Sequence, residues 1–142
     1  MTCDMTPDDV CTVQQSWAEL RRLRTSMITE LTRQYDAAAS PSSLLPDLRA
    51  AWLFVAVDEL VDLLPAPSVL AAHARKLIGS WPEPLSAPCF AVDGTAFMAA
   101  AAACAPRWTS TAESAWRQAW LLLADELAAE ALSPFADGWH AD

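Results

Sequence analysis

Glycine is scarce in this chain, with three in 142 residues, and no stretch alternates apolar and polar residues as a half-buried strand would. These absences argue against a β-sheet fold. The ten prolines instead mark breaks between helical segments, because proline cannot continue the hydrogen bonding of a helix interior. A chain of this length fits one domain with a sizeable core. The sequence therefore predicts an all-α, single-domain protein.

Lysine and long apolar runs are also lacking. The chain has one lysine beside eight arginines and a net charge of −9, and its one basic cluster is Arg21, Arg22 and Arg24. This balance excludes nucleic acid and anionic membrane as expected partners. No apolar run reaches the roughly 18 residues of a membrane span. The acidic N-terminus has no apolar targeting core, so we expect a cytoplasmic protein without a signal peptide.

The four cysteines show no CxxC spacing, which argues against a zinc site. We expect them to be reduced thiols, as is usual in the cytoplasm. The apolar fraction of 54% and the mean hydropathy of +0.17 are high for a protein without a membrane span. Such an excess indicates a buried core or an apolar contact between copies, and we expect a homodimer.

Apolar residues recur at spacings of three and four along the chain, as on the buried face of a helix. Thr6 followed by Pro7 predicts the start of the first helix, because a hydroxyl cap often precedes a proline at the first helical position. A bend is expected near Thr25. The remaining helices are predicted at about 47–64, 68–80, 89–105 and 110–132, with residues 133–142 as a tail.

Arg49 stands out within the predicted helix 47–64. It lies one turn before Leu53 and projects along the apolar face of that helix. An arginine in such a place has to reach water or meet an anion, since a buried unpaired charge is costly. The anion can be a carboxylate of the protein or of a ligand.

The final helix has the most distinctive pattern in the chain. Ser110 and Glu113 have the spacing of a capping box, and one stripe follows it, made of Trp116, Ala119, Trp120, Leu123 and Leu127. This pattern resembles the last helix of bacterial single-domain globins and flavohaemoglobins. The segments 13–17 (VQQSW), 30–46 and 90–97 (FAVDGTAF) are similar to other globin helices. The resemblance implies a globin-like fold of about six to seven helices, with a core of about 7–132.

The resemblance also implies a pocket, whose distal side has changed in this chain. Leu45 stands where the family has an aromatic residue packed on the porphyrin, and Leu31 where the bacterial family has a tyrosine over the iron. Arg49 stands at the position of the distal glutamine or histidine, ahead of Leu53. None of these replacements preserves the family's contact with haem.

The proximal side lacks the family's histidine. Aligned through Leu70 and Leu77, the histidine position falls on Trp81, whose indole has no free nitrogen lone pair to give to iron. His73 lies two turns earlier on the same predicted face and could replace it only if the connections on both sides changed length. A pocket left empty would be an intolerable void, so side chains such as Trp81 and Phe97 fill it or another ligand does.

The sequence thus favours a haem-free, globin-like domain that binds a small hydrophobic or anionic molecule or serves as a regulatory or interaction module. Its predicted pocket consists of Leu31, Leu45, Arg49, Leu53, His73, Leu77, Trp81 and Phe97, with no metal and no cofactor. Three alternatives remain open. One is a cofactor-independent tailoring enzyme that uses Arg49 and His73. The others are a haem globin with His73 as axial ligand and an unrelated helical bundle.

Overall fold

The computed structural model describes residues 5–38, 45–80 and 87–140, and the side chains of 5–38, 45–77 and 92–125. Within these ranges the chain is all-α, as predicted, without a strand. The helices are α1 Pro7–Arg22, α2 Arg24–Ala37, α3 Pro46–Val61, α4 Pro67–Ser80, α5 Ala87–Cys104 and α6 Ser110–His140. Among the described residues no helix combines the length and the hydropathy that crossing a membrane requires.

The start of α1 confirms the predicted cap. The Thr6 hydroxyl accepts a hydrogen bond from the Asp9 amide at 3.1 Å, and the Asp9 carboxylate accepts one from the Thr6 amide at 3.3 Å. This reciprocal pair satisfies two amides that the first helical turn leaves without partners. The helix ends at Arg22, and the amide of the next residue, Leu23, donates to the Leu20 carbonyl three residues back. The bend at Leu23 therefore comes two residues before the expected Thr25.

Both ends of α6 differ from the prediction. The cap at its start is Thr109, whose hydroxyl accepts from the Ala112 amide at 3.0 Å, so the capping box predicted from Ser110 was wrong by one residue. Three consecutive hydroxyl residues make such a choice locally ambiguous. At the other end the helix continues to His140 instead of stopping near Leu132. The alanine-rich sequence favours helix up to Leu132, but a proline inside a helix costs about 3 kcal/mol, so nothing in the local sequence explains the continuation past Pro134.

The helices form one layered core. Helix α2 packs on α3 and α5, while α1 and α4 pack on α6, and α5 also meets α6. The apolar residues spaced by three and four in α1, α2 and α3 form the buried faces of these helices. Their buried members include Val13, Trp17, Leu20, Met27, Leu31, Val57 and Leu60. Burying these side chains supplies most of the driving force for folding, at about 1.5–3 kcal/mol for each large apolar residue.

Four aromatic side chains from four different helices meet at the centre of the core. Trp17 of α1 lies 5.0 Å from the ring of Phe54 of α3, and Phe97 of α5 lies 4.9 Å from Trp116 of α6, measured between ring centroids. Both indole N–H groups are satisfied: Trp17 donates to Asp58 at 2.9 Å and Trp116 donates to Ser16 at 3.0 Å. This cluster fixes the positions of α3 and α5, which carry the polar residues described next.

Candidate functional site

Arg49 points into the protein and meets a carboxylate there. Its side chain is 2% exposed, and its guanidinium group binds Asp93 of α5 through two contacts, Nε to Oδ1 at 3.1 Å and Nη2 to Oδ2 at 2.6 Å. Such a two-point pairing is the strong form of an arginine–carboxylate interaction. Of the two anions that the sequence left open, the structure has the carboxylate of the protein itself.

Tyr35 of α2 completes this buried cluster, which we call the Tyr35–Arg49–Asp93 network. Its hydroxyl donates a hydrogen bond to Oδ1 of Asp93 at 2.5 Å. Burial, together with the adjacent Asp93 charge, raises the pKa of Tyr35 well above its ordinary value of about 10, and Arg49 opposes this only in part. The network joins α2, α3 and α5 through one carboxylate.

The raised pKa of Tyr35 leads to a test at alkaline pH. Because Tyr35 is the chain's only tyrosine, tyrosinate absorbance reports on this side chain alone. The folded protein should show no tyrosinate near pH 10, where the unfolded chain is half ionised. A pKa raised on folding contributes stability that is complete below the unfolded value and is lost as pH rises. Relative to Tyr35→Phe, the wild-type free energy of unfolding should therefore fall by about 1.4 kcal/mol per pH unit above pH 10. A tyrosinate titration near pH 10 in folded protein would contradict the burial.

His73 lies away from this network. On α4 its Nε2 atom is 2.7 Å from Oε1 of Glu59 on α3, and its side chain is 26% exposed. Glu59 follows Arg49 by ten residues on α3, which corresponds to about 15 Å along the helix axis. The structure therefore does not bring Arg49 and His73 together around one small molecule.

The other predicted pocket residues fall into three groups. Leu45 directly precedes α3, makes no side-chain hydrogen bond to it and is 65% exposed, so its side chain faces outward. Trp81 lies outside the described residues. The rest are buried in the hydrophobic core: Leu31, Leu53, Leu77 and Phe97. Whether any of them touches a ligand stays a prediction, but those four pack against protein side chains.

An open cavity of about 400 Å³ lies between α5 and α6. The described part of its lining consists of Gly94, Thr95, Met98, Arg117, Trp120 and Leu121. One wall is the indole of Trp120, which stacks on Phe97 with ring centroids 6.2 Å apart and planes 13° apart. Gly94 makes this arrangement possible, because a Cβ atom there would lie 2.8 Å from Cδ1 of Trp120. We call this space the α5–α6 cavity.

A second, smaller hollow of about 250 Å³ lies between α2 and α5. It is lined by Gln34, Ala38, Val92, Thr95 and Ala96. Thr95 borders both spaces, and it follows Asp93 by two residues on the same helix. The buried network and the two surface cavities therefore depend on one short stretch of α5.

Sequence reasoning missed Asp93 and Tyr35. Asp93 is the one charged residue in the otherwise apolar sequence of α5, and Tyr35 is on the predicted apolar stripe of α2. A buried acid in an apolar helix needs a cation, and a buried Arg49 needs an anion. Matching these two isolated charges was the available signal for the network.

No group of three or more potential metal-ligating side chains occurs among the described residues. The described residues offer charge pairing inside the protein and apolar contact with a few polar donors at the α5–α6 cavity. The chain matches no protein-family profile, no curated protein and no solved structure.

Proposed function

We propose that this chain is a haem-free, globin-like domain that acts as a small-molecule-binding or regulatory and interaction module. The observation that carries the proposal is the two-point pairing of Arg49 with Asp93. In the globin resemblance, Arg49 stands at the position of the distal polar residue. Here its charge is neutralised within the protein and holds helices together, so it is not available to a ligand on iron.

The surroundings of His73 support the absence of haem. An axial ligand faces an enclosed pocket, whereas the His73 side chain is 26% exposed and its Nε2 atom lies 2.7 Å from Glu59 Oε1. This surface pairing supports a haem-free domain, and we derive no chemistry through haem. The distance between Arg49 and His73 likewise gives no support to a tailoring enzyme built on these two residues.

The α5–α6 cavity is the proposed binding site for a small molecule. Small-molecule sites are concave, largely apolar and provided with a few polar groups, and their volumes begin at about 300 Å³. The α5–α6 cavity has this character, with Met98 and Leu121 beside Thr95 and Arg117. The proposed binding region is therefore displaced outward from the predicted interior pocket.

A homodimer and a cytoplasmic location remain predictions. Large apolar side chains left in water, such as Leu48 and Leu121, are consistent with a contact between copies of the chain. Their exposed areas alone do not define an interface, so the proposal does not depend on them.

A hemin titration tests the haem-free assignment. Purified wild-type protein and the His73→Ala variant should give the same weak, non-saturating absorbance, without a Soret band that saturates at one haem per chain. His140→Ala is the matched control, because His140 is the chain's other histidine. A saturating Soret band that His73→Ala abolishes and His140→Ala retains would overturn the proposal and identify a globin with a shifted axial ligand.

A further inference from the structure

We infer that the α5–α6 cavity binds a small apolar molecule that carries a carboxylate, and that Arg117 selects for this charge. The inference rests on the proposed function and names the ligand class for its binding site. Its basis is the combination of apolar walls with three hydrogen-bond donors of different kinds, which are the Arg117 guanidinium, the Trp120 indole N–H and the Thr95 hydroxyl.

The first of these three donors is the indole N–H of Trp120. In the parts of the chain that the structure describes, no hydrogen bond from Nε1 of Trp120 occurs, while the core indoles of Trp17 and Trp116 both donate. The Trp120 indole borders an open cavity, so water can accept from its N–H group. A ligand oxygen in the α5–α6 cavity can take the place of that water.

Arg117 forms only a weak, exposed ion pair within the protein. Its nearest acid is Glu113, one turn earlier on α6, with Nη2 and Oε2 3.3 Å apart, and the arginine side chain is 69% exposed. Exposed pairs at this spacing contribute only about 0.3–0.5 kcal/mol, so a ligand carboxylate can compete for the guanidinium group.

The overall charge makes Arg117 decisive. With a net charge of −9, the protein repels anions in general, so an anionic ligand needs a local cation. Arg117 is the one charged side chain in the described lining of the α5–α6 cavity. The apolar part of the ligand would cover Met98 and Leu121, and Leu121 is otherwise half exposed to water.

The test compares two probes of nearly equal shape, 2-naphthoate and 2-naphthamide, by isothermal titration calorimetry. Both can accept a hydrogen bond from Trp120, but only the acid is charged. We expect the wild type to bind naphthoate up to about fivefold more tightly than naphthamide, since an exposed ion pair contributes at most about 1 kcal/mol. In Arg117→Gln this preference should disappear while naphthamide affinity stays unchanged.

Two further variants separate a role in binding from a general effect of charge. Arg107→Gln removes the same charge from a side chain that is 85% exposed and does not line the α5–α6 cavity, so the preference for naphthoate should persist. Glu113→Gln releases Arg117 from its competitor and should tighten naphthoate binding roughly twofold. A purely structural role for Arg117 would not produce this gain.

Three results would overturn the inference. They are equal binding of both probes to the wild type, no binding of either probe, and retention of the naphthoate preference in Arg117→Gln. None of these results affects the hemin titration, so failure of the ligand class is distinguishable from failure of the haem-free assignment. Circular dichroism of each variant checks that it is folded.

Discussion

Replacing Asp93 with asparagine is expected to lower the free energy of unfolding by about 3–5 kcal/mol, because it leaves a buried arginine without its counter-charge. Asparagine has nearly the shape of aspartate, so the loss would not come from a cavity. Arg49 is 2% exposed and has no route to water without disturbing the packing of α3 on α2. A loss of this size is a large part of the stability of a single domain, which is about 5–15 kcal/mol.

Urea unfolding followed by far-ultraviolet circular dichroism at neutral pH measures this effect. The control is Asp62→Asn, which removes a carboxylate that is 67% exposed and 3.8 Å from Arg21. We expect this control to change the free energy of unfolding by less than about 0.5 kcal/mol. A loss below about 1 kcal/mol in Asp93→Asn would mean that water reaches Arg49 in solution.

A combined variant distinguishes the penalty of an unpaired charge from the value of the intact network. Replacing all three members by apolar residues, as Arg49→Met, Asp93→Leu and Tyr35→Phe, removes the buried polar groups of the Tyr35–Arg49–Asp93 network together. Buried ion pairs replaced in this way often cost little, because desolvation cancels much of their attraction. The combined variant should therefore be more stable than Asp93→Asn alone. Its helical content should be unchanged, since the helices depend on apolar burial.

The fold could be predicted from sequence wherever the signal is local. The spacing of Val13, Trp17 and Leu20 identifies the buried face of α1, and Thr6 identifies its start. Both signals depend on residues within one or two turns of each other, so no knowledge of the tertiary fold is needed. The globin resemblance, by contrast, remains a prediction.

For the buried network, the sequence predicted that Arg49 faces inward but did not predict its partner. The apolar neighbours of Arg49 indicated the inward direction. Asp93 is 44 residues away on α5, and it is brought next to Arg49 only by the tertiary packing of α3 and α5 on α2. His73 shows the same difficulty in reverse, because its helix face indicated the interior and the Glu59 carboxylate at the surface engages it instead.

Replacing Gly94 with alanine is expected to lower the free energy of unfolding by about 1–3 kcal/mol, the cost of overpacking a filled site. A loss of stability is unusual for a glycine-to-alanine change within a helix. In a helix interior such as this, alanine is ordinarily about 0.5–1 kcal/mol more favourable than glycine. Here the added Cβ would lie 2.8 Å and 2.9 Å from two ring carbons of Trp120, and the stacking of that indole on Phe97 limits its movement.

The loss of stability in Gly94→Ala should depend on the indole of Trp120, so replacing Trp120 provides the control. In a Trp120→Leu background the flat indole is gone, so Gly94→Ala should become neutral or stabilising through helix propensity alone. Urea unfolding of the four proteins in this cycle gives the coupling energy between the two positions. A stabilising Gly94→Ala in the wild-type background would contradict the contact between Gly94 and Trp120.

The same substitution connects helix packing with ligand binding. Gly94 and Trp120 both line the α5–α6 cavity, so a methyl group at position 94 should occupy part of that space and strain the position of the indole. Gly94→Ala should therefore weaken naphthoate and naphthamide by the same factor, whereas Arg117→Gln weakens only the charged probe. Equal loss of affinity for both probes in Gly94→Ala would show that Gly94 and Trp120 determine the shape of the cavity. Loss of affinity for naphthoate alone in Arg117→Gln would show that Arg117 selects for charge.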